Sequence, residues 1–312
     1  MSRALVFPGQ GSQAVGMGSE LRDAFAPARD TFEEIDEALR QHLSRLMFEG
    51  PESELILTEN AQPALLAVSL AAMRVMEDGG LDLKRHVACV AGHSLGEYSA
   101  LAAAHALGLA DAARLLKRRG RAMQRAVPVG EGAMAALLGL ELDQAREAAA
   151  AAAQGQVCEC ANDNGPGQVV VSGHRAAVER AIAAATERGA RRAIMLPVSA
   201  PFHCALMAPA AAEMAEALAE VALKEPLVPL IANVSAGPER DPQEIRRLLV
   251  EQVTSMVRWR ESVLRMRDDG VDQIVEIGAG RVLSGLIKRI DRDTATLSVG
   301  TPAEIETFLK SL

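Results

Sequence analysis

The segment Gly92-His93-Ser94-Leu95-Gly96 fits the pattern G-x-S-x-G and lies between an apolar run, Val87–Ala91, and a helix-forming run, Glu97–Leu101. In a strand-turn-helix setting the glycines let the backbone turn sharply and expose a serine hydroxyl at a helix N-terminus, where it can act as a nucleophile. Ser94 is the candidate nucleophile; an incidental serine in a Gly-rich turn is the plainer reading. Such a serine needs a base. The chain has six histidines: His42, His86, His93, His105, His174 and His203. His42 and His105 fall in expected helices, His86 opens an expected strand and His174 starts a helix, so all four read as surface or packing residues. His93 adjoins the serine on the turn, where neighbouring side chains diverge. His203 lies in the proline-bracketed loop Pro197–His203 that follows an expected strand, and loops at strand ends are where catalytic residues gather. Elimination leaves His203 as the candidate base, level with its reading as an ordinary loop histidine. A Ser-acid-His order asks for a carboxylate between the two. Asp111 caps a helix, Asp143 and Glu147 lie on a helix, and Asp163 sits in a turn, so a Ser-His dyad oriented by a neutral group fits better.

The elements that must hold these residues alternate between strands and helices, the pattern of a mainly parallel sheet flanked by helices. Expected strands are Ala4–Phe7, His86–Ala91, Val228–Ala232, Asp272–Ile277 and Thr296–Val299. Expected helices are Glu20–Met47, Ala61–Glu77, Leu95–Leu107, Asp111–Ala126, Met207–Leu223 and Val257–Asp269. The middle reads differently: strand Gly132–Leu140, helix Leu142–Ala153, strands Gln156–Asn162 and Gln168–Ser172, helix Ala176–Arg188, strand Arg192–Val198. That β-α-β-β-α-β order is the split-βαβ or ferredoxin-like signature. The expected organisation is therefore a large discontinuous α/β domain, residues 1–126 and 198–312, interrupted by a small domain at 127–197.

Composition narrows the partners. The chain has 312 residues, 49% of them hydrophobic and 24% charged, which excludes disorder and fibrous structure. With 33 Lys+Arg against 41 Asp+Glu and only 3% aromatic residues, it lacks the charge and the stacking platforms of a general nucleic-acid binder. No apolar run approaches the roughly 18 residues of a membrane span, and no leader pattern opens the chain. Four scattered cysteines, Cys89, Cys158, Cys160 and Cys204, suit neither a disulfide framework nor a zinc knuckle. No metal or cofactor is expected, and the cytoplasm is the expected compartment.

Several further motifs occur in a set order: Phe7-Pro8-Gly9-Gln10-Gly11-Ser12-Gln13, Gln62-Pro63-Ala64-Leu65, Gly92–Glu97, Arg119-Gly120, Phe202-His203 and Glu276–Gly280. Together they resemble the malonyl-CoA:acyl carrier protein transacylases, the stand-alone bacterial enzymes of type II fatty acid synthesis, over residues 4 to 290 and with a small insert in the same place. The resemblance implies a large α/β-hydrolase-like domain and a ping-pong transfer of malonyl from malonyl-CoA to the phosphopantetheine thiol of acyl carrier protein. It implies Ser94 as nucleophile, His203 as general base and acid, the backbone N–H groups of Gln10 and Leu95 as oxyanion hole, and the Gln252 main-chain carbonyl as the group orienting His203. It also implies that Arg119 binds the malonyl carboxylate, although Arg114, Lys117, Arg118, Arg119, Arg121 and Arg125 read by themselves as a solvated basic helix face. A guanidinium can hold a carboxylate by two parallel charge-assisted hydrogen bonds, which a neutral acyl group cannot accept.

Phe202 stands where many bacterial members carry serine. An aromatic there resembles malonyl-selective acyltransferase domains, whose bulk crowds an α-methyl group; simple packing of the loop is the plainer account. Gln62 comes with its motif as a substrate-site residue, and Asn162 and Asn164 resemble the segment facing the thioester carrier, although Asx turns would also explain them. The basic stretches Lys117–Arg125, Arg188–Arg192 and Lys288–Arg292 could meet the phosphates of coenzyme A and an acidic carrier. A monomer is expected. The competing readings are an α/β-hydrolase esterase, a non-catalytic carrier-docking scaffold, and, within the transacylases, a polyketide-pathway enzyme or a malonate-decarboxylase component.

Overall fold

The computed structural model describes residues 2–312. Its strands are β1 (Arg3–Phe7), β2 (Cys89–Gly92), β3 (Gly132–Leu138), β4 (Cys158–Asp163), β5 (Gln168–His174), β6 (Arg192–Met195), β7 (Leu230–Ile231), β8 (Pro238–Glu239), β9 (Gln273–Ile277) and β10 (Ala295–Val299). They form two sheets. The larger has the order β10-β9-β1-β2-β7-β8. All its neighbours are parallel except β7 and β8. Strands buried on both faces should be continuous apolar runs, and Arg3–Phe7 is buried throughout. One face carries the helices Ala26–Leu39, Thr58–Asp78, Leu109–Ala126 and Ala208–Ala219, joined through Leu5, Phe7, Leu65 and Leu116. The other packs Trp259–Asp268 and Val282–Ile290 against Ala4, Val6 and Ile274.

The second sheet is antiparallel, with the order β4-β5-β3-β6. Helices Leu142–Ala153 and Arg175–Glu187 cover one face, and the small side chains Ala145, Ala148, Ala149 and Ala181 let them lie close to Val169 and Val171. Its other face, with Met134, Ala161 and Val170, turns to Val198 and Phe202. An isolated bridge pairs Asn162 of β4 with Val257, in the segment just ahead of helix Trp259–Asp268.

Departures from the expected elements have local causes. The run expected as one helix over Glu20–Met47 is three, Ser19–Ala24, Ala26–Leu39 and Leu43–Glu49. Phe25 is extended ahead of Pro27, a residue suited to the first turn of a new helix, and Arg40 adopts a left-handed conformation. The strand expected from His86 begins only at Cys89. Leu83–His86 instead forms a short helix whose N-terminal amide at Arg85 is capped by Asp82. His86 therefore closes a helix rather than opening a strand, and His105 follows the helix Gly96–Ala103 rather than lying within it.

β1 and β2 are adjacent at the centre of the larger sheet and end in register at Phe7 and Gly92. The chain leaves β1 towards one side and β9 lies on the other, so a crevice opens beyond the carboxyl ends of these strands, the usual ligand position in such sheets. Gly120 sets a second feature of that crevice. A Cβ at this position would lie 2.6 Å from the Glu59 Cα, so glycine lets helices Thr58–Asp78 and Leu109–Ala126 approach until the neighbouring Arg119 reaches inward. Gly120→Ala is expected to destabilise the fold by about 1–3 kcal/mol through overpacking against backbone, outweighing its better helix propensity. A lowered urea midpoint at unchanged m-value checks this.

Candidate active site

The turn after β2 has the strain that the G-x-S-x-G spacing predicts. Ser94 has φ +53°, a conformation non-glycine residues rarely take. A Cβ on Gly92 would fall on the Gly96 carbonyl, and one on Gly96 would fall on the Phe7 carbonyl. Both glycines are therefore required by close backbone approach, and the Ser94 hydroxyl is left facing the crevice at the start of helix Gly96–Ala103.

His203, also at positive φ, comes from the loop after β6 and is 3% exposed. Its Nε2 lies 2.7 Å from Ser94 Oγ, and its Nδ1 lies 2.8 Å from the Gln252 carbonyl oxygen. A carbonyl can only accept, so Nδ1 carries the hydrogen and Nε2 presents its lone pair to the serine. Burial, joined by the nearby charge of Arg119, pushes the His203 pKa down to about 3. The ring is neutral at pH 7. The structure thus brings the two candidate residues, Ser94 and His203, together and puts a neutral carbonyl, that of Gln252, on the far side of the imidazole.

Arg119 is 1% exposed and points at the same hydroxyl. Its Nη2 donates to Ser94 Oγ at 3.2 Å and to Gln252 Oε1 at 2.9 Å, while Nη1 donates to Gln62 Oε1 at 3.0 Å. Nε has no partner among the described residues. Of the other cations of the helix, Arg114 pairs with Asp111, Arg121 with Glu59, and Arg118 and Arg125 with Glu213 on a solvated face, while Lys117 is buried and reaches Glu59 and Asn60. Arg119 is the one that reaches the Ser94 hydroxyl, held by two neutral amides.

Gln252 does more than its carbonyl suggests. It is fully buried, and its Nε2 donates to the Ser94 carbonyl and to Glu97 Oε2, at 2.9 and 2.8 Å. Arg119 and Glu97 thus fix which way round the amide lies. Glu97 is a functional residue that sequence reasoning missed; an acid in the first turn of a helix reads as a dipole partner. Here it is buried, and burial raises its pKa to about 7 against the opposing effects of the Gln252 and Asn233 amides and the Arg119 charge. Asn233, just beyond β7, was also missed. It has no motif around it, and its side chain bonds both Ser94 and Gly92 backbone groups.

A cavity of about 610 Å³ opens over the pair, lined among others by Gln10, Leu95, Gln62, Asn162, Phe202 and His203. Gln10 and Leu95, whose amides are the expected oxyanion donors, line this cavity, and neither amide is used in the backbone hydrogen bonds of turns and loops. Asn162 is 6% exposed at the end of β4, and Phe202 is half-buried. His93 does diverge from Ser94, yet it borders the cavity too: its Nε2–H donates to Asn164 Oδ1 at 2.9 Å and its ring lies beside Trp259. Asp163 is not near the dyad and pairs with Arg260. Among the described residues no group of three His, Cys, Asp or Glu side chains could hold a metal, and no helix is long and apolar enough to cross a membrane.

The chain is similar to known proteins over nearly its whole length. The chain is 45% identical over 310 residues to the malonyl CoA-acyl carrier protein transacylase of Bacillus subtilis, covering 99% of this chain and 96% of that protein. The crystal structure of the acyl-carrier-protein S-malonyltransferase from Bartonella henselae superposes with a TM-score of 0.98 at 55% identity, covering 100% of this chain and 99% of that one. A malonyl-transacylase in complex with a type II PKS acyl-carrier protein matches with a TM-score of 0.97 at 44% identity, over all of both chains. The model of the acyl transferase domain matches residues 4–300, and the chain belongs to that family.

Proposed function

We propose that the chain is a malonyl-CoA:acyl carrier protein transacylase, which moves malonyl from coenzyme A to the phosphopantetheine thiol of the carrier and so supplies extender units for fatty acid synthesis. The observation that carries this reading is a buried guanidinium, with no carboxylate bonded to it, 3.2 Å from the nucleophilic hydroxyl. A malonyl thioester has its carboxylate two carbons from the carbonyl under attack. Arg119 can therefore hold the carboxylate by charge-assisted hydrogen bonds while Ser94 reaches the carbonyl.

In the first half-reaction His203 Nε2 takes the Ser94 proton as Oγ bonds to the thioester carbon. The oxyanion formed accepts from the Gln10 and Leu95 amides, each such donor being worth about 3–4 kcal/mol in the transition state. The C–S bond then breaks, and the Nε2–H proton goes to the coenzyme A sulfur. In the second half-reaction the pantetheine thiol gives its proton to Nε2, attacks the malonyl-Ser94 ester and restores Ser94–OH. No resident cofactor enters either step. The malonyl carboxylate also offsets the Arg119 charge facing His203, which makes the imidazole more basic while the substrate is bound.

The other site residues take supporting parts. Gln62 steadies Arg119. Phe202 narrows the wall beside Met134 and Val198, so that an α-methyl group is crowded. Asn162 faces the carrier's amide-containing arm. Gly139, which lies against Gly167, also packs on Arg191, and Arg289 donates to Gln168, so the basic stretches 188–192 and 288–292 border the loop after Asn164. There they can meet phosphates or an acidic carrier. We read the chain as a cytoplasmic monomer of two units, an α/β-hydrolase-like domain of residues 1–126 and 198–312 and a ferredoxin-like domain of 127–197, whose strand order supports that description.

Mixing the protein with malonyl-CoA alone is expected to add one malonyl mass to Ser94; an unmodified serine in folded protein would refute the transacylase reading. Slow hydrolysis of that ester without acceptor is expected, whereas an esterase would release it quickly. Arg119→Ala should lower kcat/KM for malonyl-CoA by about 100-fold or more and that for acetyl-CoA far less. Equal losses would make Arg119 structural. Because His203 is protonated only near pH 3, the acid limb of kcat/KM should lie well below 6.5, the value of an ordinary histidine. Arg119→Ala removes a cation that disfavours imidazolium, so that limb should move to higher pH.

A further inference from the structure

Asn233 is buried, 1% exposed, and stands two residues beyond β7, the strand that pairs with β2. Its side-chain Nδ2–H donates to the Gly92 carbonyl at 2.6 Å, and its Oδ1 accepts from the Ser94 amide at 2.8 Å. These are the carbonyl and amide that a neighbouring parallel strand would bond, one residue on either side of His93. The β2–β7 ladder, however, ends at Ala91 and Ile231. We propose that the Asn233 carboxamide is a positioning residue for acyl transfer: it stands in for the missing strand residue, holds the elbow in its strained shape, and turns the Ser94 amide away from the site.

Two consequences follow from those bonds. A turn with Ser94 at positive φ persists only if its surroundings over-determine it, and an unpaired buried amide at Ser94 would cost further free energy. Asn233 removes both difficulties with one side chain. It also sets which amides can serve the reaction. With the Ser94 N–H committed to Asn233, the oxyanion donors are left to the next residue, Leu95, and to Gln10 from the loop after β1. The Asn233 backbone N–H in turn donates to Glu97 Oε2 at 3.2 Å, on the same oxygen that accepts from Gln252. The clamp on the nucleophile and the group that orients His203 therefore share an anchor.

This proposal rests on Ser94 as the acylated residue, so wild-type malonylation is measured alongside each variant. Failure of the wild type to acylate tells against the transacylase reading, while normal wild-type acylation makes the variants a test of Asn233 alone. Single-turnover acylation by malonyl-CoA is followed by intact mass for Asn233→Ala and Asn233→Asp, with circular dichroism to establish folding. Asn233→Ala is expected to lower the acylation rate constant by about 100-fold, the scale of a small misplacement of a reacting group, with the apparent KM changed less than about threefold.

Asn233→Asp keeps the volume and still accepts from Ser94, but its carboxylate faces the Gly92 carbonyl without a proton to donate. Protonated, it can donate again. Glu97 beside it, Arg119 and His203 beyond Gln252, His93 on the turn it bonds, and the Arg258–Glu261 ion pair next to its own backbone are the charged and titratable groups around this position, and Glu97, which accepts from its backbone N–H, favours the protonated acid. The Asp variant should therefore regain acylation as the pH falls from 8 to 5.5, a range over which the wild type is expected to stay level. A folded Ala variant acylating within threefold of wild type, or an Asp variant with no gain towards acid pH, would overturn the proposal.

Discussion

A guanidinium taken out of water without an anion against it is among the least favourable groups a protein can bury, and much of the site is organised around that one cost. Arg119 is met by two neutral amides, Gln62 and Gln252, which satisfy its hydrogens without cancelling its charge. The nearest carboxylate, Glu97, is one hydrogen bond further away, on the far side of the Gln252 amide. A direct Arg–Glu pair would have been easier to bury, but it would have occupied the fork that a substrate carboxylate needs. Separating the two charges by an amide keeps the arginine both tolerable and available. Burial keeps the His203 imidazole neutral and the same charge adds to that effect, so in the proposed reaction one buried cation would serve both the anionic substrate and the base.

Residue type and spacing carried much of this before any coordinates. The G-x-S-x-G segment was legible because its glycines answer to backbone clashes that any side chain would create, and those clashes are local. The β-α-β-β-α-β order between residues 132 and 198 was legible for a similar reason: its periodicities change sharply at short turns, and the elements observed differ from those expected only at their ends. His203 could be reached by elimination because histidines are few. What the spacing could not convey was direction. Six basic residues on one helix look alike in sequence, and only the packing beside Gly120 separates Arg119, which reaches Ser94, from Lys117, buried against Glu59 and Asn60, and from four solvated arginines.

Glu97 and Asn233 were illegible for a different reason. Each is an ordinary residue in an ordinary local context, a first-turn acid and a loop amide after a strand. Their roles come from groups far away in the chain: Asn233 meets Ser94 from 139 positions distant, and Glu97 meets Gln252 from 155. The single expected helix over Glu20–Met47 failed in the opposite sense. Its apolar pattern was right, but Phe25 and Arg40 break the backbone where the periodicity alone has no reason to stop.

The small antiparallel sheet lies between the nucleophile and the base in the chain, so the Ser94–His203 contact closes a loop spanning 109 positions. Closing a loop of that size costs conformational entropy, and contacts of long sequence separation form late in folding. Neither residue meets the other within a local segment of the chain, so the dyad exists only where both ends of the insert are in place.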